Sequence, residues 1–228
     1  MAAFETRGET VMVVGDSFVV RLQDHVLSAD PPHVPACPLQ DHNSRVLKAP
    51  PAISKVFFYG VGGTGVLDLN KKLHIPKDLI LSLSPKFVIL EIGGNDIDSP
   101  SSTSYDVAHS KIDMAKQILT LGVDCVVLTT ILPRDNTRHI PASQFRDKAT
   151  GANEWTSHLL TNDPAQKSIQ FHRHKGFWRD ASRNEVDTSG WSTDGVHPNK
   201  PSGLEKLRRS YTQILHNMVK THRNLQSE

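Results

Sequence analysis

Three short apolar runs in this chain each stop at a glycine and then change character. Val11-Met12-Val13-Val14 ends at Gly15-Asp16-Ser17. Val56-Phe57-Phe58-Tyr59 ends at Gly60-Val61-Gly62-Gly63-Thr64-Gly65. Phe87-Val88-Ile89-Leu90-Glu91-Ile92 ends at Gly93-Gly94-Asn95-Asp96. Short runs rich in β-branched and aromatic residues and closed by glycine are strands. The third reads as buried on both faces except at Glu91. A fourth run covers residues 123–132 and stops at Pro133; a fifth, shorter one covers 168–171. Between them lie helical patterns. Phe18, Leu22 and Val26 recur at helical spacing after Ser17, with Arg21, Gln23, Asp24 and His25 on other faces. Further helices are predicted over 66–73, 77–83, 103–121, 142–161 and 202–220. The last carries Leu204, Leu207, Tyr211, Ile214, Leu215 and Met218 on one face. Strands alternating with helices predict an α/β fold, a three-layer α/β/α sandwich on a five-stranded parallel sheet.

In such sheets, sites form at the carboxyl ends of the strands. All three glycine turns close a strand at that end, so they converge on one edge. Ser17 stands where a core strand becomes a helix, beside backbone N–H groups that favour negative charge. That suits a nucleophile whose product is an oxyanion. It also suits a plain N-cap. A second feature lies just before the last helix: Asp194-Gly195-Val196-His197-Pro198-Asn199. The Asp-x-x-His spacing lets a carboxylate hold one imidazole nitrogen while the other faces outward, ready to take a proton from a hydroxyl. Read alone, the stretch is a turn leading into a helix.

The 228 residues fit one domain over 1–228, with 1–10 and 221–228 as flexible ends. A hydrophobic share of 37% and a charged share of 22% are those of a soluble globule. A net charge of +2 is no nucleic-acid footprint. Two cysteines make no disulfide framework; Cys125 reads as a buried thiol and Cys37 as a loop residue. The polar stretch before Thr10 is no signal peptide, and no apolar run approaches the roughly 20 residues of a membrane span. The expectation is a cytoplasmic protein, or a trimmed domain of a longer one. Twelve histidines are scattered, apart from His172 and His174, and no set has metal-ligand spacing, so no metal or cofactor is implied. His172 and His174 read as a surface pair. The glycine cluster 60–65 is no phosphate loop, since no Gly-Lys-Ser/Thr follows. Residues 30–52 read as a proline-punctuated loop.

Together these stretches resemble the SGNH (GDSL-type) hydrolase family, a flavodoxin-like α/β fold. Gly15-Asp16-Ser17 carries Phe18 where the family usually has Leu. Gly63 is the best match to the family's oxyanion glycine. Gly93-Gly94-Asn95-Asp96 matches Gly-x-Asn-Asp, and Asp194 to His197 matches Asp-x-x-His. The blocks stand in family order across residues 11–199. The resemblance implies a serine esterase acting on small acyl esters. Ser17 would attack, His197 would take the proton and Asp194 would hold the imidazole. The Ser17 N–H, the Gly63 N–H and the Asn95 amide would meet the oxyanion. Asp16 and Asp96 would pin turns. The family's usual Asn is missing from the second block, which leaves Gly62 as a second source of that N–H.

A narrower similarity exists too. The stretch from Phe171 to Trp178, with Gly-Val-Gly-Gly and Gly-Gly-Asn-Asp, is similar to SGNH domains of invertebrate retrotransposons. A wider cousin is the intracellular platelet-activating-factor acetylhydrolase type, which implies a short acyl group. The rival reading is an SGNH-fold binding or scaffolding module without physiological esterase activity. Trp178 and Trp191 read as core or loop packing or as a pocket wall, Arg208 and Arg209 as a solvated helix face, and Asn153 as structural. Oligomeric state is left open.

Overall fold

The computed structural model describes residues 8–31, 40–67, 72–161, 167–177 and 186–226. Cys37, Trp178 and positions 68–71 of the helix expected over 66–73 lie outside them. In chain order the elements are β1 (Glu9–Gly15), α1 (Ser17–Leu27), α2 (His42–Val46), β2 (Ile53–Gly60), α3 (Lys77–Leu83), β3 (Phe87–Glu91), α4 (Gly94–Ile97), α5 (Ser104–Leu119), β4 (Cys125–Thr129), α6 (Ala142–Thr161), β5 (Ile169–His172) and α7 (Gly203–Gln226). The strands form one five-stranded sheet in the order β2-β1-β3-β4-β5, and every pairing is parallel.

The two-residue period of β1 sorts the core. Val11 and Val13 face a cluster with Val19 and Leu22 of α1 and Leu207 and Tyr211 of α7. Met12 and Val14 face the opposite cluster with Ile80 of α3, Ile112 of α5 and Phe145 of α6. Helices therefore cover both faces, and the sandwich has three layers.

Several boundaries differ from the sequence reading for local reasons. The proline-rich 30–52 stretch contains α2, because the Asp41 carboxylate accepts the Ser44 N–H at 2.8 Å and starts a turn. Val66 and Leu67 bend instead of opening a helix, and their N–H groups go to the Asp96 carboxylate at 2.9 and 2.8 Å. Gly151 does not break α6. It gives room to α5: a Cβ there would lie 2.9 Å from Ser104 Oγ. The supposed flexible ends are partly regular, since β1 begins at Glu9 and α7 continues to Gln226. Among the described residues no helix is long and apolar enough to cross a membrane.

Candidate active site

The first three strands end level. Gly15 pairs with Gly60 of β2 and with Glu91 of β3. The turns that follow them leave from one edge of the sheet. Ser17 is the first residue of α1, but it is not the cap. Asp16 is: its Oδ1 accepts the Phe18 N–H at 2.9 Å. The helix start is satisfied without the serine, and Ser17 Oγ is left for another partner.

That partner is His197. Its Nε2 lies 2.9 Å from Ser17 Oγ, and its Nδ1 lies 2.8 Å from Asp194 Oδ2. Asp194 Oδ1 accepts the backbone N–H groups of Val196 and His197, both at 2.9 Å. Burial works against the Asp194 carboxylate, yet these hydrogen bonds outweigh it and bring its pKa down to about 2. An ionised acceptor at Nδ1 requires the proton there. Nε2 is then the lone pair that receives the Ser17 O–H.

The loop carrying the histidine is fixed from three sides. Trp191 bridges to Pro198, and the Ser192 N–H donates to the His197 carbonyl at 2.7 Å. The Trp191 indole meets the Phe18 ring edge-on at 6.3 Å, so the loop docks on α1. Gly195 has φ +64°, which an L side chain resists, and its carbonyl accepts the Asp135 and Asn136 N–H groups. Asn199 Oδ1 accepts the Ser202 and Gly203 N–H groups at the start of α7.

The net shift of the His197 pKa is downward. Burial is the largest cause; the Asp194 hydrogen bond opposes it, and the cations Arg21 and Arg134 add to it. Arg21 Nη2 stands 3.6 Å from Asp194 Oδ2.

Asn95 sits in α4, at the carboxyl end of β3. Its Nδ2 donates to the Thr64 carbonyl at 2.7 Å, which ties this turn to the glycine turn after β2. Gly63, with φ +76°, and Asn95 line one cavity of about 640 Å³, together with Asp98, Ser99, Ser101 and Ser102. Gly62 is not part of that lining. Asp96 lies below, holding Val66 and Leu67. The structure thus brings Ser17, His197 and Asp194 into one relay and sets Gly63 and Asn95 on one wall.

Sequence reasoning missed a buried polar layer under this edge. Glu91 is buried, not exposed. Its Oε2 is 2.7 Å from His174 Nε2 and accepts the Tyr211 hydroxyl at 3.1 Å. The supposed surface pair is part of the same layer: His174 is buried, and His172 and His174 both reach Ser210 Oγ. Arg134 is only 3% exposed. Its signal was there to read: a charged residue just past the apolar fourth run, on the edge where the other turns converge. Arg208 is no solvated residue either. It pairs with Glu205 and donates to the Val46 carbonyl, whereas Arg209 is exposed.

Residues 13–201 match the GDSL-like Lipase/Acylhydrolase family. The chain belongs to that family, the SGNH hydrolases. Solved structures with the same fold include a GDSL-like lipase from Bacteroides thetaiotaomicron (15% identity, 96% of this chain and 93% of that one, TM-score 0.62). A carbohydrate esterase family 3 protein from Talaromyces cellulolyticus shares 15% identity over 93% of this chain and 98% of that one, with a TM-score of 0.60. The aryl esterase of M. smegmatis shares 16% over 94% and 100%, with a TM-score of 0.59. A comparison with curated proteins finds no significant match. The narrower likeness to retrotransposon-borne domains gains no support from these relatives. What the family establishes is a carboxylic-ester hydrolase lineage on an α/β scaffold.

Proposed function

We propose that this SGNH protein is a serine esterase that hydrolyses short acyl esters, of acetyl size and slightly larger. The observation that carries the reading is the unbroken relay from Ser17 Oγ through His197 to the Asp194 carboxylate. Ser17 Oγ attacks the acyl carbonyl as its proton passes to His197 Nε2. Negative charge collects on the carbonyl oxygen, facing the Ser17 N–H, the Gly63 N–H and the Asn95 amide. His197 then gives its proton to the departing alcohol, leaving an acyl group on Ser17. Water repeats the sequence: His197 takes its proton, and the acid leaves as Ser17 is restored.

The short acyl group is supported by the lining of the cavity that Gly63 and Asn95 share. The cavity beside Asn95 is lined by serines, aspartates, Arg138 and His139, with Leu67 and Pro100 among the few apolar contributors. A methylene gains about 0.8 kcal/mol only where apolar surface takes it out of water. Most of the residues that line it are polar, which supports short acyl groups over long tails. Labelling with a fluorophosphonate tests the mechanism. The wild type should be labelled at Ser17 and Ser17→Ala should not. An unlabelled wild type, or labelling that survives in Ser17→Ala, would overturn the reading.

A further inference from the structure

Arg134 is buried deeply for a cation, and the carboxylates of Asp16 and Asp98 act on its charge. It follows the end of β4, and its guanidinium lies 5.3 Å from the Phe145 ring centroid and 5.8 Å from that of Phe18. The backbone of Gly94 closes a further side: a Cβ there would lie 2.7 Å from Nη2. Burying a charge this way is costly unless its hydrogen bonds are used. Arg134 Nη2 donates to Asn95 Oδ1 at 3.1 Å.

This contact settles which way the Asn95 amide faces. A guanidinium has donors only, so it can meet only the oxygen end of the amide. The Thr64 carbonyl has an acceptor only, so it can meet only the nitrogen end. Turning the amide over would set N–H against N–H and oxygen against oxygen. With one N–H committed to Thr64, the second N–H of Nδ2 is the group left to serve a ligand. The charge adds polarisation, because withdrawing density from Oδ1 makes Nδ2 a stronger donor.

We propose that Arg134 is a positioning residue for the oxyanion: its guanidinium orients and polarises the Asn95 amide so that the free N–H meets charge developing on the substrate oxygen. The proposal rests on the serine-esterase reading above. It assigns Arg134 no contact with substrate.

The test is a double-mutant cycle on hydrolysis of p-nitrophenyl acetate. Arg134→Met should lower kcat by about ten- to a hundred-fold with little change in KM, since the loss falls on the transition state. Arg134→Lys should recover part of it, because one ammonium N–H can still reach Oδ1. In an Asn95→Ala background, Arg134→Met should cost no more than about twofold further, because the group it acts through is gone. Losses that multiply, or a loss carried by KM, would overturn the proposal. If Arg134→Met does not fold, Gly94→Ala serves instead, since its methyl displaces Nη2 and leaves the charge. It should lower kcat in the wild type and not in Asn95→Ala; an unchanged kcat in the wild type would overturn the proposal. Ser17→Ala run alongside separates the two ideas. Activity surviving there refutes the esterase reading itself, whatever Arg134 does.

Discussion

Asp194 and His197 are joined twice: the carboxylate accepts both the ring Nδ1–H and the backbone N–H of the same histidine. The first contact sets the tautomer and the second sets the loop. Only neutral imidazole can take a proton from Ser17, so kcat/KM should rise with pH through the His197 pKa. Burial is the main cause that holds that pKa below the ordinary 6.5, so the rising limb should lie at lower pH than for a free imidazole. Asp194→Asn removes a stabiliser of imidazolium. The rising limb should move to lower pH while the plateau falls by about two to four orders of magnitude. Arg21→Ala removes a cation that disfavours imidazolium, so its limb should move up. A pH–rate profile in which neither variant shifts the limb would remove both residues from control of the base.

Ser17 and His197 should behave as one unit. Each single alanine substitution should cost about as much in kcat as the two together, because either loss ends the same proton transfer. Steady-state kinetics of the two singles and the double decide this. Multiplying losses would mean the pair does not act in concert.

Capping and reaction fall on adjacent residues, and they should separate cleanly. Ser17→Ala should abolish activity yet leave the urea midpoint nearly unchanged, because Asp16 holds the first turn of α1. Asp16→Ala should destabilise by about 1 kcal/mol or more through the lost cap. A large fall in stability for Ser17→Ala would show that the hydroxyl helps to hold the turn.

Asp16 also makes stability depend on pH. Burial is the main cause that raises its pKa from 3.8 to about 7; Arg134 draws it down, and Glu91 and Asp96 push it up. Below about pH 4 the carboxyl is protonated folded or unfolded, and burial costs nothing extra. Between about 4 and 7 the unfolded chain releases the proton while the native state keeps it, so stability should fall as pH rises. Above about 7 the deficit is constant. Asp16→Asn keeps an acceptor for the Phe18 N–H and has no proton to release. The stability difference between wild type and Asp16→Asn should therefore slope across that window. Parallel unfolding curves at pH 5 and pH 8 would contradict the assignment.

Acyl length gives a further expectation. Across p-nitrophenyl esters from acetate to palmitate, kcat/KM should be highest for acetate to about butyrate. A steady climb past octanoate would overturn the short-acyl proposal.

What was legible from the sequence is what local chemistry controls. A β-branched run followed by glycine and a helical period locates Gly15-Asp16-Ser17 and the level ends of β1, β2 and β3. What was not legible depends on partners far along the chain. Glu91 looked like the one wet position of β3 because His174 and Tyr211, its partners, lie 83 and 120 residues away. His172 and His174 looked like a surface pair for the same reason, since Ser210 joins them from α7. Val66 and Leu67 do not open the expected helix because Asp96, 30 residues on, draws the Val66 N–H away. Arg134 was not legible for the same reason, since Asn95, the amide it donates to, lies 39 residues earlier.

Ser17 belongs to the second element of the chain, and its base lies 180 residues later, just ahead of the last helix. All five strands precede His197 in the chain, so a ribosome makes the whole sheet before it makes the histidine. On the proposed mechanism, Ser17 lacks its base until the loop that precedes α7 docks against α1. The same geometry turns an activity-based probe into a clock. Fluorophosphonate capture at Ser17 should appear with the final docking event, so its rate during refolding reports when the two ends of the chain meet.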